Sequence, residues 1–436
     1  MAMIWQRLAL LLFACACVLG ATQSAKPLDI PPSQFWDGDD GPWSSFRISI
    51  GGVNPQQLRV LPGSSQSSTL LVLPEACGST TPEAGKTCAD QRGGLYMRNE
   101  SSSWDEFGQY KLDTFLESRV GVTGDGLYGF DDLDLGWTGD DLPTLNNQSI
   151  AGIISADLAL GSLALDPRPV NFTNYNNPIP SLLQNLRNHS SPIPSLSWSY
   201  TAGAYNLAPK VFGSLVLGGA DTTRYEPNKV TFPFGADISL DLQVATQRIS
   251  VNSTTAPLLS TPIISYISTL VPDIWLPSDT CTEFAKAFGL SYNTTSKDFY
   301  INSTMHQTNL ANNPVVTMLV GPEASGASVN IKLPYWNFYL AAPQDTEEGV
   351  FRFPIRQASN DTQYVLGRAF LQSAYLSADY ERHTFSLSQA LYPSSSTKAN
   401  VVAITPPGTK EGLSKGAISG IAAGTAVTVV VLIAGS

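Results

Sequence analysis

The chain has 436 residues, 43% of them hydrophobic, enough for two packed lobes of ordinary size. Only 14% are charged, while 35 glycines and 30 prolines punctuate the sequence, as in a turn-rich β protein rather than a helical one. The formal net charge of −11 disfavours a nucleic-acid partner and suits an exported protein facing an acidic medium.

Residues 1–20 read as a secretory signal: Arg7 precedes the apolar run LALLLFACACVLG and small residues follow, so cleavage after Gly20 or Ala25 is expected. Cys15 and Cys17 leave with it. Cys77 and Cys88 are near enough in sequence to pair in an oxidising compartment, which leaves Cys281 odd, either buried and free or paired elsewhere. Asn-X-Ser/Thr sequons at Asn99, Asn147, Asn171, Asn188, Asn252, Asn293, Asn302 and Asn360 agree with export and predict glycosylation. The acidic loop carrying Asp37, Asp39 and Asp40 reads as solvated surface, because no calcium-loop spacing follows. Next, Phe46, Ile48 and Ile50 alternate with Arg47 and Ser49, the pattern of a strand with one buried face. Gly51, Gly52, Asn54 and Pro55 make a turn, and Leu58, Val60 and the apolar run 70–73 supply two more strands around a small polar loop at 63–67.

Pro55 and Gln56, the alternating Leu58 and Val60, the loop VLPGSSQS and the strand after it resemble the first active-site hairpin of the pepsin-like aspartic peptidases. In that resemblance Gly63 stands where the family carries a catalytic aspartate, followed by Ser64 and Ser65. Residues 122–131 resemble the flap, the hairpin that closes over bound peptide, and 147–165 the stretch ending the first lobe. SLSWS at 195–199, the glycine-rich SLVLGGAD at 214–221 and YVLGRAFLQSAY at 364–375 resemble later landmarks, in the family's order, with 376–387 as a closing strand pair. The resemblance runs from about residue 44 to 390, and its wording is most similar to a fungal, membrane-anchored branch. It implies a mainly β, bilobal fold with short helices, with lobes at 44–205 and 206–392.

The two lobes of this family face each other with similar loops, so a second loop is expected. Reading back from Ile274, Trp275 and Leu276 places the second aspartate-threonine-glycine on Ser268, Thr269 and Leu270. After it, residues 281–288 have helix spacing with Gly289 as a stop. Gly63 offers no titratable group, and the Ser268 hydroxyl is no base without a partner. The chemistry that the resemblance implies needs two carboxylates sharing a proton, so no catalytic residue is assigned. The cleft-floor residues are then Ser64, Ser65, Thr269 and Leu270, with Leu270 taking space that a glycine would leave open. Asp273 lies five residues past Ser268, roughly 16 Å along an extended segment and on its other face. Asp125, Asp131, Asp132 and Asp134 read as turn and surface residues. The clustered serines at 64–68 have no base nearby in sequence. His189, His306 and His383 lack ligand spacing, so no metal or other cofactor is expected.

Residues 393–416 are rich in Ser, Thr, Pro, Gly and Lys and read as a flexible stalk. They lead to the uncharged segment 417–436, which at ~1.5 Å per residue spans roughly 30 Å, the thickness of a hydrocarbon core. Both a single-pass span and a glycolipid-anchor signal fit it. The expected protein is a secreted, membrane-attached pseudo-peptidase, monomeric, with a cleft that takes a peptide or protein ligand. An active endopeptidase with a non-standard dyad and a glycosylated surface or cell-wall scaffold are the alternatives.

Overall fold

The computed structural model describes residues 25–78, 85–155, 157–172, 176–342, 346 and 348–408. The expected signal peptide and the apolar segment 417–436 lie outside the described residues. The described residues up to Ile404 form one body.

The alternation at Phe46, Ile48 and Ile50 gives the strand Trp43–Ile50, with those three side chains fully buried. It pairs antiparallel with Gln56–Gly63, Phe46 opposite Val60 and Ile48 opposite Leu58. Gly52 and Asn54 make the connecting turn with φ of 68° and 61°, a conformation glycine and asparagine tolerate best. These strands belong to an eight-stranded sheet. Within it Gly161–Ala164 inserts between Gln56–Gly63 and Thr69–Val72, parallel to the first and antiparallel to the second. The chain between those two flanking strands is thereby pinched into a loop whose tip is presented at the edge of the sheet.

The second half repeats the device in a seven-stranded sheet. Val365–Leu366 inserts between Ile263–Ile267, to which it runs parallel, and Ile274–Leu276, to which it runs antiparallel. A six-stranded sheet takes Ser197–Thr201 and Ser214–Leu217 from mid-chain and Ala374–Asp379 and Thr384–Gln389 from the end, joining the two halves. One core runs through the body, with Trp43, Phe46, Trp198, Tyr200, Phe232, Phe284 and Phe288 among its buried aromatics. Burial of each such side chain contributes about 1.5–3 kcal/mol, so the body holds its loops rigidly. The helix Ser278–Phe288 ends at Gly289, φ 69°, as its spacing predicts.

Cys77 and Cys88 form a disulfide. Cys281 is buried and free, its thiol donating to the Arg356 carbonyl at 3.3 Å, and burial pushes its pKa up to about 12. All eight sequon asparagines are exposed.

Two expectations need correction. The acidic loop is internally paired: Asp37 is buried and accepts from Arg59 Nε at 2.9 Å, while Asp40 accepts from Trp43 Nε1 at 2.8 Å and pairs with Arg368. Desolvated carboxylates need such partners, and arginines distant in sequence supply them. The stalk begins later than its composition suggests. Val401–Ala403 pairs antiparallel with Gly219–Asp221, and Ser195 Oγ bonds the Ile404 carbonyl. Two β-branched residues there find an open sheet edge.

Candidate functional site

The two pinched loops meet tip to tip. Ser64 N donates to Thr269 Oγ1 at 3.0 Å, Thr269 N to Ser64 Oγ at 3.5 Å, and the Thr269 hydroxyl to Ser64 Oγ at 3.1 Å. This reciprocal grip sets Gly63-Ser64-Ser65 opposite Ser268-Thr269-Leu270, so Gly63 and Ser268 hold equivalent places. Arg368, itself fully buried, braces the second loop from behind by donating to the Leu270 carbonyl at 2.5 Å.

A carboxyl does stand between the loops, and it belongs to neither. The flap hairpin is built from Asp105–Lys111 and Asp125–Leu135, so it starts earlier than residues 122–131. The connection between its strands carries a single helical turn, Phe115–Ser118. Leu116 packs with Leu240, Val271 and Val365 of the second half, and Gln363 Nε2 donates to the Arg119 carbonyl at 2.5 Å. Thus fastened, the turn drives Glu117 inward until no part of it reaches solvent. Its Oε1 accepts from Ser268 Oγ at 2.8 Å and Ser65 Oγ at 3.1 Å, and its Oε2 lies 3.4 Å from Gln66 Nε2. A base therefore does stand beside the loop serines, contrary to the expectation that none was near.

Ser268 has no bonding capacity left. Its proton goes to Glu117, while Leu270 N and Val271 N donate to its oxygen at 3.1 and 3.2 Å, engaging both lone pairs. An attacking hydroxyl needs a free pair, so this serine is not poised as a nucleophile despite its adjacent carboxyl. The space left beside Ser64, Ser65 and Leu116 is about 10 Å³, at the lower limit for one water. A larger cavity of about 740 Å³ opens along the flap, lined by Tyr110, Phe115, Tyr128, Phe172 and Ile238 and edged by Asp113 and Arg168.

The other acids considered from sequence lie elsewhere. Asp273 is buried between Arg352, at 2.6 Å, and Arg356, at 3.1 Å. Asp131, expected at the surface, is instead fully buried on the strand Asp125–Leu135 and accepts from Ser101 at 3.0 Å. Asp125 pairs with Lys111 at 2.9 Å, Asp132 accepts from Asn147 N at 2.9 Å, and Asp134 bonds Thr144. His306 lies 2.9 Å from the Tyr335 hydroxyl in an aromatic cluster.

Burial dominates the electrostatics. It raises Glu117 above the usual carboxylate range against the three donors, and it carries Asp113 to about 6. Burial, with Asp166 adding to it, takes Asp241 to about 7. These folded-state values exceed the ordinary 3.8 of an aspartate, so the folded protein holds these protons more tightly than the unfolded chain. Their stabilisation is full below that value and is lost as pH rises through 6 to 7. The melting temperature should accordingly fall between pH 4 and pH 7, and Asp241→Asn should flatten the fall. A melting temperature that rises over that interval would overturn the assignment.

Residues 203–390 match the family model described as eukaryotic aspartyl protease. Over 359 residues the chain is 24% identical to secreted aspartic protease 8 of Candida albicans, covering 82% of this chain and 78% of that protein. The same protein from strain SC5314 matches to the same extent.

Proposed function

We propose that the chain, a member of the pepsin-like aspartic peptidase family, is a catalytically inactive pseudo-peptidase that keeps a peptide-binding cleft. One observation carries this reading: the equivalent positions at the two loop tips are Gly63 and Ser268, and the single carboxyl between them, Glu117, arrives from the flap and is sealed from solvent. Peptide hydrolysis by an acid pair needs one group as base and the other as acid around a bound water. Here one carboxyl is present between the loop tips, and it is engaged by the Ser65 and Ser268 hydroxyls. The apolar cavity along the flap is what supports retained binding.

The protein acts outside the cell or at its surface. The apolar leader, the Cys77–Cys88 disulfide, the eight exposed sequons and the secreted relative support this reading. In this reading the sequons carry glycans and segment 417–436 attaches the protein to a membrane, as a span or as a glycolipid signal.

A second reading, an active enzyme with a rebuilt dyad, has in its favour Glu117 and the nearby acids Asp241 and Asp113. Asp241 lines the small space beside Ser64 and Ser65, and Asp113 accepts from Ser67 N at 3.1 Å, but neither of them stands at Gly63 or Ser268. Thermal unfolding with a transition-state-analogue inhibitor of aspartic peptidases separates the two readings, since the tight binding of such compounds depends on the reacting groups. The pseudo-peptidase gains no more melting temperature from saturating inhibitor than from a matched peptide lacking the transition-state group. A rise that the inhibitor alone produces would overturn the proposal.

A further inference from the structure

Of the eight sequon asparagines, Asn171 lines the flap cavity and the other seven do not. Its Nδ2, the atom that takes a sugar, lies 3.5 Å from the carbonyl of Pro169, a neighbour in the same lining, at the outer limit of a hydrogen bond. Asn171 is exposed and yet part of the lining, so its side chain stands at the cavity's mouth. The fold holds it there from both sides. Val170 N donates to the Ile179 carbonyl at 2.8 Å, and Ile179 N to the Val170 carbonyl at 2.9 Å. On the other side the Phe172 ring packs among Phe107, Tyr110 and Tyr128, with centroids 4.5, 5.4 and 5.4 Å away.

That mouth is apolar. Phe115, on the helical turn of the hairpin connection, is 58% exposed, and Ile238, from the second half, is 68% exposed; both line the cavity. Phe107, which packs on Phe172, is 42% exposed. Large apolar side chains gathered round one opening mark a surface that something covers. An N-linked glycan is bulky and solubilising, and the C–H faces of its rings pack on the electron-rich faces of aromatic rings. Rooted at Asn171, one residue from Phe172, it is held beside this rim at a local concentration that a free ligand does not match.

We infer that Asn171 carries an N-linked glycan whose first sugars lie over the apolar rim of the flap cavity, screening Phe107, Phe115 and Ile238 and competing with peptides for the entrance. This rests on the reading of the chain as exported and of the cavity as a binding site. The sugar comes from a lipid-pyrophosphate-linked oligosaccharide of the export pathway. Asn171 Nδ2 bonds to C1 of its first sugar as the bond from that carbon to the pyrophosphate breaks, and the amide loses one proton. The cavity is thereby regulated by a group that the chain carries itself.

The test uses the full chain, produced by a host that glycosylates exported proteins, beside Asn171→Gln, Thr173→Ala and Thr304→Ala. The second variant removes the Asn171 sequon and keeps the asparagine; the third is a control that removes the sequon of Asn302. Glycopeptide mass spectrometry should find sugar on Asn171 in the natural chain and none there in the first two variants. Hydroxyl-radical footprinting should show Phe107, Phe115 and Ile238 oxidised several-fold faster in those two variants than in the natural chain and in Thr304→Ala. Val53, exposed on the turn after the strand Trp43–Ile50, should react alike in all four proteins. An unmodified Asn171, or rim residues oxidised at one rate throughout, would overturn the inference. A faster rate in Asn171→Gln without one in Thr173→Ala would overturn it too, since the amide and not the glycan would then be responsible. A fluorescent, capped alanine-rich peptide with a central Phe scores binding separately. It should bind both Asn171-sequon variants more tightly than the natural chain, and equal binding to all four proteins sinks the competition. A peptide that none of them binds sinks the binding cleft, while the footprint still decides the cover.

Discussion

Placing aspartates at Gly63 and Ser268 together leaves the protein inactive, and activity emerges only when Gln66 and Glu117 are also replaced. A Cβ on Gly63 would lie 2.8 Å from Gln66 Oε1, 3.0 Å from Ser162 Oγ and 3.1 Å from the Leu163 carbonyl. All three are oxygens, and the Gln66 and Ser162 atoms are buried without hydrogen-bond partners. An aspartate introduced there is crowded by the Gln66 and Leu163 oxygens, which can only accept, and Glu117 would add a third carboxyl to the same seam. Ser268→Asp faces no such barrier, since Leu270 N and Val271 N already point at the side-chain oxygen and would stabilise a carboxylate. The variant Gly63→Asp, Gln66→Ser, Glu117→Ala, Ser268→Asp restores both acids and room for a water. Restoring general acid–base groups is worth about 10²–10⁴-fold each in rate, so its peptide cleavage at pH 3 to 5 should exceed that of the natural chain by at least that factor, while the double variant stays at the natural chain's level. Equal activity of the two variants would show that Gln66 and Glu117 do not guard the site.

Removing the Asp273 carboxylate should destabilise the protein by up to about 3–5 kcal/mol, because it leaves Arg352 and Arg356 to share Asp298. Arg352 Nη1 lies 2.6 Å and Arg356 Nε 3.1 Å from its two oxygens, and the pull of those guanidiniums holds Asp273 below the usual carboxylate range despite its burial. The loss would be transmitted to the site, since Asp273 closes the loop that begins at Ser268 and its carbonyl accepts from Gly367 N at 3.2 Å. In urea unfolding, Asp273→Ala should lower the midpoint with an unchanged slope. A midpoint within experimental error of the natural chain would contradict the network's structural role.

What could be read from the sequence follows from the range over which each signal acts. Strand alternation at Phe46, Ile48 and Ile50 is local, and it sets the register of the loop behind Gln56–Gly63. The apolar run Ile274, Trp275, Leu276 does the same for Ser268, so the facing of the two loops was legible. Glu117 was not, because its partners Ser65 and Ser268 stand 52 and 151 residues away. Nothing in a one-turn helix says which side chain will be driven into a seam. The signal that was available is Leu116 and Val120, spaced to present one apolar face within the hairpin connection. The acidic loop escaped for the same reason, its Asp40 pairing with an arginine 328 residues on.

The central claim is that the natural seam lacks the acid pair, and peptide cleavage tests it most directly. The full chain, incubated with a diverse peptide library from pH 3 to 7 and read by mass spectrometry, should yield no new termini beyond those in a chain-free control. Cleavage that an aspartic-peptidase inhibitor abolishes would contradict the account, and Glu117 would then be the first carboxyl to replace.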